Sequence, residues 1–341
     1  MGYVVSFDAP RSVSLAEYPE RPLDPHEVRL KTLYSGISAG TELTAYRGSN
    51  PYLNKRWDDD RRIFVPGEVS FEYPVKGWGY EEVGEVAEVG SAVTKMKVGD
   101  IVWGTWGHKS TNIVKEDWAA ERLLPEGLDP ICGIFSQIGA IALNAILDAD
   151  IHVGEYVAIF GQGVPGLIVT QLAKLNGGTV IAVDAMPKRL EMARQCGADY
   201  VINFKEQDSA EAIKAITGNR GADVAIEMSG HYSALHDAIR SVAYNSKVIS
   251  AGFFQGDGRG LYLGEEFHHN RVQVICSQIS GVNPRLDYRW TRLRMDKTVM
   301  RLQGRRRSIC NSWSPTCSPS RRRPRPSNCW TSSRMRPFRL C

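Results

Sequence analysis

The stretch Tyr156-Val-Ala-Ile-Phe-Gly161-Gln-Gly163-Val-Pro-Gly166, followed by Val180-Ile-Ala-Val-Asp184, decides the fold of this chain. Its first apolar run predicts a buried strand, its glycines predict a tight turn, and residues 167–176 predict a helix. In such a unit the first glycine permits the turn, the second lets backbone approach a pyrophosphate, and the third lets the helix pack on the strand. The helix N-terminus attracts phosphate through free N–H groups, so the sequence predicts dinucleotide binding here. The predicted cofactor contacts are Gly161, Gly163, Val164, Pro165 and Gly166.

The residue that ends the second predicted strand, Asp184, bears on the choice of cofactor. A carboxylate at this position can bind both ribose hydroxyls, whereas a 2′-phosphate would meet like charge. Asp184 therefore favours NAD over NADP. Lys188 and Arg189 lie just beyond it and leave NADP open, and Arg189 is a further candidate for cofactor contact.

The 341 residues are enough for two domains with buried cores. No signal peptide, transmembrane run or lipidation motif is evident in the sequence, so we expect a cytoplasmic protein that does not bind membranes. Seven cysteines without a C-x-x-C pair argue against a disulfide scaffold and against a zinc knuckle. The formal charge of +4 depends on residues 301–341, which hold eleven arginines and no acid; without those arginines the charge is −7.

The pattern of apolar runs and turn residues changes near residue 125. Residues 1–125 carry short Val, Ile and Tyr runs between Gly, Pro and Asp, which predict an all-β domain with a polar surface loop at 50–62. After it, an apolar helical segment (134–147) precedes about six strands that alternate with helices, and this alternation predicts a doubly wound parallel sheet. We therefore expect an α/β protein with a substrate domain (1–125), a dinucleotide-binding domain (126–280) and a return to the first domain (281–341). The predicted strands cover residues 27–33, 84–89, 100–103, 157–160, 180–183, 200–202, 224–227, 248–251 and 272–276.

Further motifs are typical of one enzyme family. They are Ser35-Gly-Ile-Ser-Ala-Gly-Thr-Glu42, Gly77-Trp-Gly-Tyr-Glu-Glu-Val-Gly-Glu-Val86, Val98-Gly-Asp-Ile-Val102 and Arg189-Leu-Glu-Met-Ala-Arg-Gln-Cys-Gly-Ala-Asp199. With the glycine turn, they make residues 1–300 resemble the medium-chain dehydrogenase/reductase superfamily of zinc-type alcohol dehydrogenase-like proteins. The resemblance implies a GroES-like β-barrel substrate domain and a Rossmann nucleotide domain. The first motif and Glu266-Phe-His-His-Asn-Arg271 resemble the branch that contains bacteriochlorophyllide a dehydrogenase.

Many members of this superfamily place a Cys, a His and a third Cys or carboxylate around a catalytic zinc ion, which polarises the substrate oxygen. By the resemblance, Ser38 or Ala39 occupies the first ligand position here, Tyr80 the second and Gln137 the third. None of these side chains is a good zinc ligand at neutral pH. The four-cysteine structural lobe of zinc-binding relatives is also missing, since residues 85–115 hold no Cys. We therefore expect a member that binds no metal.

Without a metal, a side chain must exchange a proton with the substrate oxygen while the nicotinamide carries hydride. By the resemblance, Tyr80 takes the vacated ligand position and is the leading candidate, next to Glu81, the retained acid of the family motif. Thr41 matches the family's proton-relay hydroxyl, and His108 could donate or shuttle a proton. Structural roles stay open for each: Tyr80 could fill the space left by the metal, Thr41 could cap a helix with Glu42, and His108 could be purely structural.

The resemblance also implies where the nicotinamide and its ribose would lie. Ser229, Gly230, Ala251, Gly252 and Ser277 follow predicted strands of the nucleotide domain, at positions that line the cofactor in relatives. The glycines suit close approach of the cofactor but equally suit an ordinary turn. The carboxyl ends of parallel strands favour the binding role.

Residues 305–341 break the family pattern, because the chain should finish its first domain there with a strand, a helix and a closing strand. Instead they lack hydrophobic periodicity and hold four of the seven cysteines among Arg, Pro and Ser clusters. The segment could be a disordered tail or an arginine-rich arm for nucleic acid or other anions. We favour a frameshift between about residues 297 and 307, which leaves residues 305–341 out of frame and disordered. With permitted codons, residues 308–319 become F-D-L-Q-L-V-V-T-H-V-F-P in the shifted frame, which is similar to the family's ending.

These features predict a zinc-independent, NAD-preferring oxidoreductase that interconverts a secondary alcohol and a ketone. The resemblance implies a bulky or ring-bearing small-molecule substrate and a homodimer. A quinone or enoyl reductase of the same superfamily stays open. So do a non-enzymatic NADH sensor and, through the arginine-rich tail, a nucleic-acid-binding protein, although nucleic acid is the less favoured partner.

Overall fold

The computed structural model describes residues 1–305 and 339–340. The described chain forms two compact units: unit 1 comprises Met1–Gln137 and Met300–Gly304, and unit 2 comprises Ile138–Val299. The first boundary lies later than residue 125, because the turn Pro130–Ile134 packs against strands of unit 1. The chain returns to unit 1 at Met300, later than the predicted start at residue 281.

Unit 1 is built from antiparallel strands. These are β1 (Gly2–Ala9), β2 (Ser12–Tyr18), β3 (Glu27–Ser35), β4 (Lys55–Asp58), β5 (Ile63–Pro66), β6 (Val75–Lys76), β7 (Glu82–Val89), β8 (Ile101–Gly104) and β9 (Thr111–Lys115). One sheet has the order β2-β1-β6, and another has the order β3-β7-β8 with β9 also paired to β3. Alternation along β3 and β7 places Val28, Leu30 and Val86 in a core with Val102 and Trp106. The helices of this unit are α1 (Glu42–Arg47) and α2 (Glu116–Ala120), with short 3-10 helices at Pro51–Leu53 and Pro130–Ile134.

The prediction of a surface loop at residues 50–62 was wrong. A 3-10 helix is followed there by β4, which pairs with β5 in an antiparallel hairpin that places Trp57 opposite Phe64. Their rings pack edge to face with centroids 5.0 Å apart, and the ring centroids of Tyr52 and Phe64 lie 5.6 Å apart. Cross-strand aromatic pairs stabilise a hairpin through contacts between its two strands. The polar composition of the segment does not indicate these contacts.

Unit 2 alternates strands and helices along the chain. Helix α3 (Phe135–Ala149) leads into β10 (Tyr156–Phe160), α4 (Val164–Leu175), β11 (Thr179–Asp184), α5 (Pro187–Gln195), β12 (Tyr200–Asn203), α6 (Ser209–Ile216), β13 (Ala222–Glu227), α7 (Tyr232–Ser241), β14 (Val242–Ser250), β15 (Gln273–Cys276) and α8 (Arg292–Arg305). The strands form one parallel sheet in the order β12-β11-β10-β13-β14-β15. This confirms the predicted α/β fold with a doubly wound parallel sheet. The strand order reverses between β10 and β13, so a crevice opens at the carboxyl ends of these strands.

Two element boundaries in unit 2 differ from the prediction. Helix α4 begins at Val164 rather than residue 167, because Pro165 in the first turn needs no N–H partner and is favoured there. Strand β14 begins at Val242, because α7 runs into it without an intervening loop. Cys276 is exposed at the end of β15.

The described chain contains one helical segment, Pro130–Ala149, that is long and apolar enough to cross a membrane by length and composition alone. The expectation that the chain has no transmembrane run stays a prediction. Most of this segment is buried within the protein, as is typical of a core helix.

Strand β16 (Arg339–Leu340) pairs in parallel with β3, opposite Tyr34 and Ser35. This pairing contradicts the prediction of disorder for these two residues, because backbone hydrogen bonding at a sheet edge requires no particular side chain. The rest of the predicted disordered segment, residues 306–338 and 341, lies outside the described residues, while α8 extends to Arg305.

Candidate nucleotide and proton-transfer sites

The glycine turn joins β10 to α4 in unit 2. Gly161 has φ +91°, a conformation that L side chains rarely adopt, and a Cβ on Gly166 would lie 1.8 Å from the carbonyl oxygen of Gly161. Gly163 precedes the helix, and its carbonyl accepts the N–H of Leu167 at 2.9 Å. Glycine is therefore required at 161 and 166, and the first turn of α4, with Val164 and Pro165, starts directly at the end of the strand.

Asp184 ends β11 beside this turn and is buried. Its carboxylate accepts the N–H groups of Gln162 at 2.7 Å and Met186 at 2.9 Å. The guanidinium of Arg189 lies 3.5 Å from the same carboxylate, so both candidate residues share one site. Asp184 thus ties the second strand to the glycine turn.

The other predicted cofactor contacts follow neighbouring strands. Ser229 and Gly230 follow β13, Ala251 and Gly252 follow β14, and Ser277 follows β15. Ser277 donates its N–H to Ser250, and its hydroxyl accepts the amide of Asn144 from α3 at 3.1 Å. With the glycine turn and Asp184, these residues form what we call the carboxyl edge: residues 161–166, 184, 228–230, 251–252 and 277.

Sequence analysis missed Glu227, the last residue of β13, which is fully buried at this edge. Its carboxylate accepts the N–H groups of Ser229 at 2.7 Å and Gly230 at 3.0 Å. The available signal was a charged residue directly after the apolar run Val224-Ala-Ile226, because a buried carboxylate needs hydrogen-bond donors.

In unit 1, Tyr80 lies with Ser38 and Thr41. Its phenol donates a short hydrogen bond to the hydroxyl of Ser38, and the Thr41 side chain is a second partner. Burial raises the pKa of Tyr80 to about 12; the nearby carboxylate of Glu81 acts in the same direction, and the two hydroxyl partners oppose it. The phenol is therefore neutral at neutral pH and able to donate a proton. Thr41 stands at the N-cap of α1 but makes no side-chain capping bond there.

Glu81 is buried next to Tyr80, against Gly36. A Cβ on Gly36 would lie 2.4 Å from a carboxylate oxygen of Glu81, so the acid fits only beside glycine. Burial raises the pKa of Glu81 well above its ordinary value, and the neighbouring Glu42 and Glu82 raise it further. This environment favours the neutral acid.

His108 is buried, and both of its ring nitrogens are engaged. Nε2 lies 2.8 Å from a carboxylate oxygen of Glu42, and Nδ1 lies 2.6 Å from the hydroxyl of Ser35. A Cβ on Gly79 would lie 2.9 Å from the imidazole ring, so His108 also supports the backbone just before Tyr80. The predicted proton shuttle thus belongs to a hydrogen-bonded network of its own.

Glu82 completes this network, which sequence analysis did not foresee. It accepts the Ser35 hydroxyl at 3.2 Å and the N–H groups of Trp106 and Gly107 at 2.7 and 3.2 Å. Burial raises the pKa of Glu82, while the Trp106 bond and His108 oppose the rise. We call Glu42, Glu81 and Glu82 with His108 the buried acid cluster.

The side chains at the family's zinc position are poor metal ligands. Ser38 and Tyr80 offer neutral hydroxyl groups that bond to each other, and zinc in proteins prefers thiolate, imidazole and carboxylate ligands. Among the residues that the structure describes, the one group of three close His, Cys, Asp or Glu ligand atoms is His236, Glu265 and Glu266 in unit 2. The donor set at Ser38 and Tyr80 therefore does not fit zinc.

Comparison with known proteins agrees with this architecture. A family model described as zinc-binding dehydrogenase matches residues 165–290. The chain is 32% identical over 301 residues to the D-guloside 3-dehydrogenase of Escherichia coli (strain K12), an alignment that covers 86% of each chain. It is 33% identical over 272 residues to the sorbitol dehydrogenase of Bacillus subtilis (strain 168), covering 71% of this chain and 72% of the relative. A Sinorhizobium meliloti 1021 protein, solved bound to NADP, superimposes with a TM-score of 0.68 at 21% identity over 88% of this chain and 89% of that one.

A parallel sheet with a glycine turn, joined to an antiparallel unit, defines an oxidoreductase of the dehydrogenase class. The chain belongs to the zinc-type alcohol dehydrogenase-like family of the medium-chain dehydrogenase/reductase superfamily.

The raised pKa of Glu81 makes a prediction about stability. A group whose folded pKa is raised stabilises the fold below its ordinary pKa of 4.5 and loses this contribution as the pH rises through the raised value. We expect the melting midpoint of the wild type to fall more steeply between pH 5 and pH 9 than that of Glu81→Gln. A difference of about 1 kcal/mol would separate the midpoints by about 2–4 °C.

The exposed Glu126 provides the matched control for this experiment. Glu126→Gln should follow the wild-type pH profile. Parallel curves for the wild type and Glu81→Gln would show that the Glu81 carboxyl does not carry this pH dependence.

Proposed function

We propose that this protein is an NAD-preferring oxidoreductase that interconverts a secondary alcohol and a ketone without zinc. The single observation that carries the proposal is the carboxyl edge, where the glycine turn and Asp184 lie side by side. A Cβ on Gly163 would meet only Pro165, at 3.9 Å, so the backbone there is open to the approach of a dinucleotide pyrophosphate at the N-terminus of α4.

Asp184 supports NAD as the preferred cofactor. Its carboxylate stands at the end of β11, where an adenosine ribose would lie, and its charge disfavours a 2′-phosphate. Arg189 is about half exposed beside it and partly offsets that charge, and the structural neighbour from Sinorhizobium meliloti was solved with NADP. The preference for NAD therefore requires that the buried carboxylate of Asp184 repel a 2′-phosphate more strongly than the half-exposed guanidinium of Arg189 attracts it. When bound, the nicotinamide would supply or accept the hydride.

Tyr80 is the proposed proton donor to the substrate oxygen. Its phenol is neutral at neutral pH and shares hydrogen bonds with Ser38 and Thr41, so a proton lost to substrate can be replaced through these hydroxyls. Glu81 lies next in sequence, and its environment favours the neutral acid, which adds no negative charge beside the phenol. His108 is proposed to position the backbone before Tyr80, since both ring nitrogens are already engaged.

The proposed substrates are small polyols or ring-bearing glycosides. Two relatives are named for such compounds, D-guloside and sorbitol. A chain of aromatic contacts supports the ring-bearing class: Phe71 lies 5.3 Å from Trp78, two residues before Tyr80, and Tyr52 lies 5.6 Å from Phe71. Aromatic faces pack against the apolar face of a sugar ring, so this wall suits a glycoside.

The function is tested with Tyr80→Phe. We expect turnover of ketones with NADH to fall by about 10²- to 10⁴-fold, because the phenol no longer donates a proton to the oxygen that is reduced. Turnover of secondary alcohols with NAD should fall in parallel, because the reverse reaction returns that proton through the same group, while NADH binding is retained. The assay compares sorbitol and methyl glycosides with NAD against quinones with NADPH. Turnover of quinones alone would support the reductase alternative.

Tyr73→Phe serves as the matched control for this change. The hydroxyl of Tyr73 donates a hydrogen bond to the carbonyl of Ala45 in the same unit. We expect the Tyr73→Phe substitution to leave kcat about unchanged. A Tyr80→Phe enzyme as active as this control would remove Tyr80 from the mechanism.

Zinc independence rests on the donor set at Ser38 and Tyr80. We expect dialysis against 1,10-phenanthroline to leave turnover unchanged, and metal analysis of the purified protein to find zinc far below one ion per chain. Loss of turnover that added Zn²⁺ restores would overturn this part of the proposal.

A homodimer and a cytoplasmic location complete the proposal. Strand β15 forms an edge of the parallel sheet and exposes Val274, which supports pairing with a second copy at this edge. The cytoplasmic location stays a prediction from the sequence.

We also propose that the codons for residues 305–341 are out of frame, on the strength of their eleven-arginine, acid-free composition from residue 301 onward. Resequencing the coding DNA across codons 290–341 should show an extra or missing base. We expect the frame-restored protein to have a higher soluble yield and melting midpoint, because an amphipathic helix and a closing strand would cover apolar surface of unit 1. The same frame in independent isolates, or equal yields and midpoints, would contradict this.

A further inference from the structure

The carboxylate of Glu227 organises the centre of the carboxyl edge. Strand β13 lies between β10 and β14, and Glu227 pairs with Phe160 on one side and Ser250 on the other. Its side chain is fully buried where the strand ends. The segment that follows must therefore turn around this acid.

Three donors from the turn converge on the carboxylate. One oxygen accepts the N–H of Ser229 at 2.7 Å and a short bond from the Ser229 hydroxyl. The N–H of Gly230 reaches both oxygens, at 3.2 and 3.0 Å. An ionised carboxylate accepts such bonds with both oxygens, whereas a protonated one turns one oxygen into a donor. Ionised Glu227 therefore holds the turn more firmly than the neutral acid.

The turn that Glu227 holds packs against the glycine turn. A Cβ on Gly161 would lie 2.9 Å from Cβ of Ser229. On the other side, a Cβ on Gly252 would lie 2.6 Å from a Glu227 oxygen and 2.3 Å from the N–H nitrogen of Gly230. The acid thus links the ends of β10 and β13, the two strands that flank the reversal of strand order, to the end of β14.

We propose that Glu227 is a positioning residue of the dinucleotide site, and that neutralising its carboxylate weakens dinucleotide binding by releasing the Ser229–Gly230 turn. This inference rests on the proposed function of the carboxyl edge. Glu227 acts through the turn that it holds and need not touch the cofactor.

The environment of Glu227 sets the pH range of the effect. Burial raises its pKa to about 7, against the opposing bonds from Ser229 and Gly230. The charged and titratable side chains on the elements packed around it are Tyr156 on β10, Tyr244 and Lys247 on β14, Tyr232, His236, Asp237 and Arg240 on α7, Asp184 and Arg189 beside the glycine turn, and His231 after the turn. The shift has no charged group among its causes, so burial decides it.

A raised pKa has opposite consequences for stability and for binding. The neutral acid suits the buried site, so the contribution of Glu227 to stability is present below pH 4.5 and is lost as the pH rises through about 7. The ionised form holds the turn, so binding strengthens over the same range. A purely structural role would move the melting midpoint and the affinity together.

The experiment measures the Kd for NADH by its fluorescence between pH 6 and pH 8.5, using the full chain. NADH is the probe because the 2′-phosphate of NADPH itself titrates near pH 6. We expect the wild type to bind more weakly at pH 6 than at pH 8. Glu227→Gln should bind roughly tenfold more weakly than the wild type at pH 8, without pH dependence and with an undiminished melting midpoint.

Two further variants separate the effect of Glu227 from that of a nearby histidine and from a defect in folding. His231→Gln should retain the wild-type pH profile, because histidine side chains in general also change charge in this range and must be separated from the acid. Ser229→Ala removes one donor from the turn and should weaken binding at pH 8, independently of whether Glu227→Gln folds well.

The outcomes separate this inference from the proposed function. A wild type that binds no NADH at any pH overturns both. A wild type that binds NADH with an affinity independent of pH, or a Glu227→Gln protein that matches the wild type, overturns the role of Glu227 alone. So does a Glu227→Gln protein whose melting midpoint falls together with its affinity.

Discussion

The close approach of helix α4 to strand β10 is the constraint on which the carboxyl edge depends. Only glycine at 166 allows the helix to pack within contact of the Gly161 carbonyl. The helix then begins where the strand ends, and the reversal of strand order between β10 and β13 leaves a crevice at that point. Residues far apart in the sequence, such as Asp184 and Ser277, reach one edge because parallel strands end on the same side of the sheet.

Both units bury acidic side chains, and their hydrogen-bond partners explain why this is tolerated. Removing a carboxylate from water is costly unless donors replace the water. Glu82 accepts backbone N–H groups from residues 106 and 107, Glu227 accepts them from residues 229 and 230, and Glu42 faces the imidazole of His108. Glu81 lies beside two other acids, and its environment favours the neutral form. Glu82 and Glu227 fix backbone turns next to the candidate sites, and Glu42 holds the imidazole of His108, whereas Glu81 is the acid whose neutral form lies next to Tyr80.

The sequence alone predicts those elements whose structure is decided by residues close to one another in the chain. The glycine turn, Asp184 at the end of β11 and the six parallel strands all follow from local pattern, because buried parallel strands are continuous apolar runs. The β4–β5 hairpin escapes prediction because the Trp57–Phe64 contact forms across strands. The engagement of both nitrogens of His108 escapes it for the same reason, since Glu42 and Ser35 are more than sixty residues away in the sequence. The role of Glu227 depends on which turns meet at the sheet edge, which only topology decides.

On the proposal that the phenol of Tyr80 takes the place of a metal, the site differs from a zinc site in how it handles protons. Zinc lowers the pKa of a bound water to about 7, so a zinc site can hold an oxyanion at neutral pH. The pKa of Tyr80 is raised to about 12, so its phenol keeps its proton across the physiological range. On the proposed mechanism, donation to a ketone oxygen is available at once, whereas taking a proton from an alcohol requires a base. Ser38 and Thr41 are hydroxyls, so the base must be solvent or a carboxylate. The site therefore holds the proton that reduction of a ketone consumes, and oxidation of the alcohol, the microscopic reverse, must return that proton through the same hydroxyls.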